Sequence, residues 1–125
     1  MKKLKNILIM ALLCAFFICV NTTYASDIFN FGNGKISGFI TDYQIPENYT
    51  LVIPDKVDDE YVTAIANGAF KDNTNIVALD LSQTTHLQEI QFGAFTNCAI
   101  SGTLVLPTSI TNIVRTAFVS ICANI

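Results

Sequence analysis

Short apolar-x-apolar triplets recur along the chain, each closed by a turn former: Leu51-Val52-Ile53-Pro54, Leu79-Asp80-Leu81-Ser82 and Leu104-Val105-Leu106-Pro107. In extended backbone successive side chains face opposite ways, so the outer two residues of a triplet point inward and the middle one outward. A second block follows each triplet and reads apolar-x-x-Ile-x-x-x-Ala-Phe. It runs from Val62 to Phe70, from Leu87 to Phe95 and from Ile110 to Phe118. The isoleucine steps are 25 and 23 residues and the leucine steps 28 and 25. Two columns in the same order, three times over, are an internal repeat.

A three-residue strand alone can neither pair its edges nor bury its inner side chains. Stacking one coil on the next does both, with parallel strands about 4.8 Å apart. The predicted ladders are Leu51/Leu79/Leu104, Ile53/Leu81/Leu106, Val62/Leu87/Ile110, Ile65/Ile90/Ile113 and Phe70/Phe95/Phe118. Ala69, Ala94 and Ala117 leave room beside each ring. Pro54 and Pro107 end their triplets because proline has no N–H to donate. Gly68 and Gly93 suit positive-φ turns, and Thr116 takes that place in the third block. Asp72-Asn73-Thr74-Asn75 and Thr96-Asn97 are turn chemistry. The fold class expected is an α/β solenoid: a short stack of parallel three-residue strands joined by short helical, 3-10 or irregular segments.

The amino terminus reads differently. Lys2, Lys3 and Lys5 precede 14 uncharged, almost wholly apolar residues from Ile7 to Val20, and a polar stretch ending in Ala25 follows. Those three parts in that order predict a secretory signal peptide, residues 1–25, cut before Ser26. A membrane span needs about 20 apolar residues, which is more than this run holds. Leu13 and Ile18 precede Cys14 and Cys19, where a lipid-attachment signal wants a small residue. Residues 26–125 are then one domain. Residues 26–50 form a leader or amino-terminal cap and 51–125 about three repeats, incomplete at the carboxy terminus. Ile125 falls where a next repeat would begin.

Composition narrows the chemistry. With 51% apolar and 14% charged residues the chain is not disordered throughout. Beyond residue 25 four bases (Lys35, Lys56, Lys71, Arg115) face ten acids, a net charge of −6. Such a domain is not drawn to nucleic acid or anionic lipid. Asp55, Asp58, Asp59 and Glu60 lack the alternation and closing Glu of a calcium loop and read as a solvated loop. His86, the sole imidazole, reads as a surface-loop residue, and no hydrolase or phosphate-binding motif surrounds it. Phe29 to Gly34 reads as a flexible leader. Asn48-Tyr49-Thr50 is a formal glycosylation sequon. No catalytic residue, cofactor or metal site is expected. Export permits a Cys98–Cys122 bridge, but buried free thiols are the preferred reading.

The repeat resembles the BspA-type leucine-rich repeat. Phe95-Thr96-Asn97-Cys98-Ala99-Ile100 is similar to that family's Ala-Phe-x-x-Cys ending, and Gly102 to Pro107 to its strand. Ile36-Ser37-Gly38-Phe39 through Pro54 resembles the stretch that opens such arrays. Ser82 departs from the usual proline, Asn73 stands where Cys is usual, and Cys122 lies one position late. The resemblance implies an exported, secreted or surface-displayed protein engaged in adhesion or other protein contacts. The expected function is therefore non-enzymatic contact with an extracellular protein or glycan. The expected site is a concave face bearing Val52, Asp80 and Val105, with Thr50, Ala78 and Thr103 beside them. The alternative is a structural cap or fragment of a longer array, able to self-associate through an uncapped carboxy-terminal end.

Overall fold

The computed structural model describes residues 25–119 and the backbone of 122–124; the leader read as a signal peptide lies outside the described residues except for Ala25. After a single 3-10 turn at Ala25–Asp27, short strands follow one another: β1 Phe29–Gly32, β2 Lys35–Phe39, β3 Tyr49–Val52, β4 Lys56–Val57, β5 Glu60–Tyr61, β6 Ala64–Ile65, β7 Ile76–Asp80, β8 Glu89–Ile90, β9 Ser101–Thr103, β10 Asn112–Ile113 and β11 Cys122–Asn124.

The spine is a five-stranded sheet in the order β1-β2-β6-β8-β10. Ile65, Ile90 and Ile113 are in parallel register, as their spacing predicts, and Ile36 of β2 adds a further rung below them. Backbone bonds repeat from coil to coil. Ala66 N–H donates to Ile36 O at 2.8 Å, Gln91 to Ile65 at 3.0 Å and Val114 to Ile90 at 2.9 Å. A second seam joins the turns. Phe70 N–H donates to Ala94 O and Phe95 N–H to Ala117 O, each at 2.8 Å. Along this seam the rings of Phe70 and Phe95 stack 5.5 Å apart, and those of Phe95 and Phe118 5.2 Å apart. Both distances are close to the spacing of paired strands. Gly68 and Gly93 hold φ of +61° and +65°, the turn conformation expected of them. Thr116 in the third coil is not at positive φ, and its buried Oγ1 has no hydrogen-bond partner.

Three expectations change. First, residues 29–34 are not a flexible leader. They form β1 and a two-residue Asn33-Gly34 turn into β2, with φ of +52° and +71°, as the right-handed twist of a hairpin requires. Phe29 and Phe39 of this hairpin pack on Phe70, so the cap covers the start of the aromatic ladder. Second, no α-helix occurs among the described residues. The Gly-Ala-Phe segments are turns bonded to the next coil. Third, the leucine triplets do not form one sheet. β3 and β7 pair in parallel, Leu51 opposite Leu79, but the third triplet is not a strand; β9, just before it, pairs with β11. Leu104 is buried nonetheless. The side-chain column persists where the backbone ladder stops.

The core lies between the two columns. Leu51, Ile53, Val62, Ile65, Phe70, Leu87, Ile90 and Phe95 are fully buried. Cys98 is a buried free thiol that donates to Phe70 O at 3.1 Å, and burial pushes its pKa up to about 11. Cys122 stands in register with Ser101, three positions from Cys98.

Candidate functional site

The outward face of β3 and β7 is set by their register. Thr50 lies opposite Ala78 and Val52 opposite Asp80. Thr50 and Val52 are exposed, while Ala78 and Asp80 are half-buried. Polar residues after β7 end the ladder here. Asp80 Oδ1 accepts the Ser82 N–H at 2.8 Å, and Leu81 O accepts both the Thr84 N–H (3.1 Å) and the Thr84 hydroxyl (2.8 Å). Side chains of this kind offer the backbone a local alternative to strand pairing. The Leu81 carbonyl is thereby engaged in its own turn.

Where the third triplet fails to pair, a hollow of about 500 Å³ opens between β7 and the segment after β9. Leu81, Leu106 and Pro107 give it apolar lining, Ser82, Thr84, Thr103 and Thr108 supply hydroxyls, and Asp80 is its one carboxylate. Val105 on its rim is 76% exposed. Hydrogen bonds from the Ser82 side chain and backbone hold the Asp80 carboxyl below its ordinary value.

The six residues expected on one face therefore fall into two overlapping groups. Thr50, Val52, Ala78 and Asp80 share the β3–β7 face, and Asp80, Thr103 and Val105 share the hollow. The sequence reading missed Ser82, Thr84 and Thr108. The Asp-x-Ser order of Asp80-Leu81-Ser82 was a usable signal, because an aspartate bonds readily to the backbone two residues on.

A second polar cluster ties two successive coils together. Asp55 Oδ1 accepts the Thr85 N–H at 2.7 Å and the Thr85 hydroxyl at 2.9 Å, and it lies 3.5 Å from His86 Nδ1. The Thr85 hydroxyl is also 2.8 Å from His86 Nδ1. The imidazole stacks on Tyr61 at 3.6 Å, and Lys56 Nζ sits 4.3 Å from that ring's centre. The Thr85 bonds, backbone first, hold Asp55 below its usual range. The acidic run is solvated at Asp58, Asp59 and Glu60, as expected, and it also has structural roles. Asp55 is a tether, while Asp58 and Asp59, at φ of +49° and +67°, make the tight turn between β4 and β5.

Among the described residues no helix is long and apolar enough to cross a membrane. Comparison with curated proteins and with solved structures finds no match to either. The family described as BspA type leucine rich repeat region (6 copies) matches residues 40–125, a span holding strands β3 to β11 and the hollow. With the matching register of Ile65, Ile90 and Ile113 and the stacked Phe column, this places the chain in the BspA-type leucine-rich repeat family.

Proposed function

We propose that the protein is an exported, non-enzymatic repeat protein, a short solenoid that contacts an extracellular protein or glycan through a concave face built on β3, β7 and the hollow beside them. The observation that carries this reading is Val52 and Val105, exposed at 42% and 76%, the first opposite Asp80 on β7 and the second on the rim of a hollow lined by Asp80 and several hydroxyl side chains. A face of mixed apolar and hydroxyl character, with little charge, suits protein or glycan better than nucleic acid. Its extent is small, so affinity per molecule is modest and adhesion depends on several copies acting together.

Export is supported by the basic, apolar and polar order of residues 1–25. The Asp55–Thr85–His86 cluster is read as a tether between coils and not as a hydrolytic triad. In a hydrolytic triad the imidazole stands between hydroxyl and carboxylate and uses both ring nitrogens. Here hydroxyl and carboxylate crowd the same Nδ1, and the Thr85 hydroxyl already donates to Asp55.

The test is binding of the protein to immobilised extracellular-matrix glycoproteins and to a glycan panel. Saturable binding that falls at least tenfold in a V52S/V105S double variant of unchanged circular dichroism supports the reading. Binding unaffected by that variant removes this face from it. A structural role is the second reading, favoured by Ile113 and Phe118, which are half-buried where Ile65, Ile90, Phe70 and Phe95 are fully buried. Association that rises with concentration in sedimentation, and that I113S weakens, would support it.

A further inference from the structure

The hollow beside β7 joins two features that one kind of ligand satisfies together. Its apolar lining comes from Leu81, Leu106 and Pro107, and its single charge is the Asp80 carboxylate. That carboxylate is fixed in place by the Ser82 N–H at 2.8 Å. No cationic side chain lines the hollow. A solvent-accessible carboxylate, oriented by the Ser82 N–H, thus stands at the hollow with no cationic side chain in its lining.

Lysine and arginine lay an aliphatic stem along apolar surface and present a cation at its tip. The hollow offers the complement: an apolar wall for the stem, and a carboxylate for the head. Its volume of about 500 Å³ holds more than one side chain, so there is room for a short length of the partner's backbone as well. The net charge of −6 beyond residue 25 attracts a basic segment at longer range.

We infer that the hollow is a recognition site for a lysine or arginine side chain presented by an extended segment of a partner protein, with Asp80 as the anchor for the cation. This rests on the reading of the β3–β7 face as a contact surface and narrows it to protein partners with exposed basic residues. Ser82 fixes the anchor, and Thr103 and Thr108 are exposed residues of the same lining.

The experiment uses three blocked pentapeptides identical except at the centre, which is lysine, norleucine or glutamate. Each is titrated into the isotope-labelled protein and followed by amide chemical shifts. The lysine peptide is expected to shift Asp80, Ser82, Thr103 and Val105, to bind at least tenfold more tightly than the norleucine peptide, and to weaken with salt. The glutamate peptide is expected to leave these amides unmoved. D80N keeps an acceptor for the Ser82 N–H and should lose at least tenfold in affinity for the lysine peptide alone. Equal binding of the lysine and norleucine peptides would overturn the proposal, as would lysine-induced shifts centred on Asp58, Asp59 and Glu60. Loss of the cation preference, with V52S/V105S still abolishing matrix or glycan binding, would overturn this inference and leave the contact surface standing. Failure of the matrix and glycan panel alone would overturn the broader reading.

Discussion

Phe95 lies between two parallel rings, one from the coil before and one from the coil after, and none of its surface reaches solvent. Replacing it with alanine empties the middle of the aromatic column. Phe95→Ala is expected to destabilise the fold by about 3–5 kcal/mol, measured by urea unfolding. Asp55 is a residue-scale tether with a pH signature. Its folded-state pKa lies below the ordinary 3.8 because Thr85 bonds the charged form. Its contribution is therefore fully present above that ordinary value and is lost as pH falls through the lower, folded-state one. Hydrogen exchange at the Thr85 amide, corrected for intrinsic rate, should accelerate on acidification through that range. In D55N the step should disappear.

At the scale of elements, the β1–β2 hairpin shows how the stack begins. Gly38 in β2 has φ of +139°, and a methyl group there would meet Ala69 O at 2.7 Å. The hairpin sits close against the first turn segment only because this residue lacks a side chain. Gly38→Ala is expected to cost about 1–3 kcal/mol and to expose Phe29, seen as a lowered midpoint with faster exchange in residues 29–39. The break between β7 and the third triplet is the opposite case. Ser82 and Thr84 turn backbone and carboxylate inward on one local turn, the neighbouring strand finds another partner in β11, and the hollow is what remains.

For the whole molecule, each coil touches chiefly its neighbours, so stability depends on position along the stack. Ile65 and Ile113 have the same role in the pattern but different surroundings: Ile65 is fully buried between rungs, and Ile113 is half-buried on β10 at the sheet's edge. Ile65→Ala should cost about 2–5 kcal/mol and Ile113→Ala distinctly less, in equilibrium denaturation of the two variants side by side. Equal losses would mean that the coils do not stack as a graded series.

Periodicity alone determined the spine. Once Ile65, Ile90 and Ile113 recur with Phe70, Phe95 and Phe118 at a fixed offset, burying both columns requires coil on coil, because no three-residue strand can bury itself. The glycine turns and the burial of Cys98 were legible for the same reason, being repeated or apolar features of one unit. What only the tertiary structure decided were the places where local polar chemistry competes with the repeat. Asn33-Gly34 folds the leader back as a hairpin, and Asp80, Ser82 and Thr84 satisfy the backbone within one turn. Asp55 finds Thr85 across 30 residues of chain. A hydrogen bond of that kind depends on which groups arrive within about 3 Å of one another, and a pattern of apolar positions does not encode it.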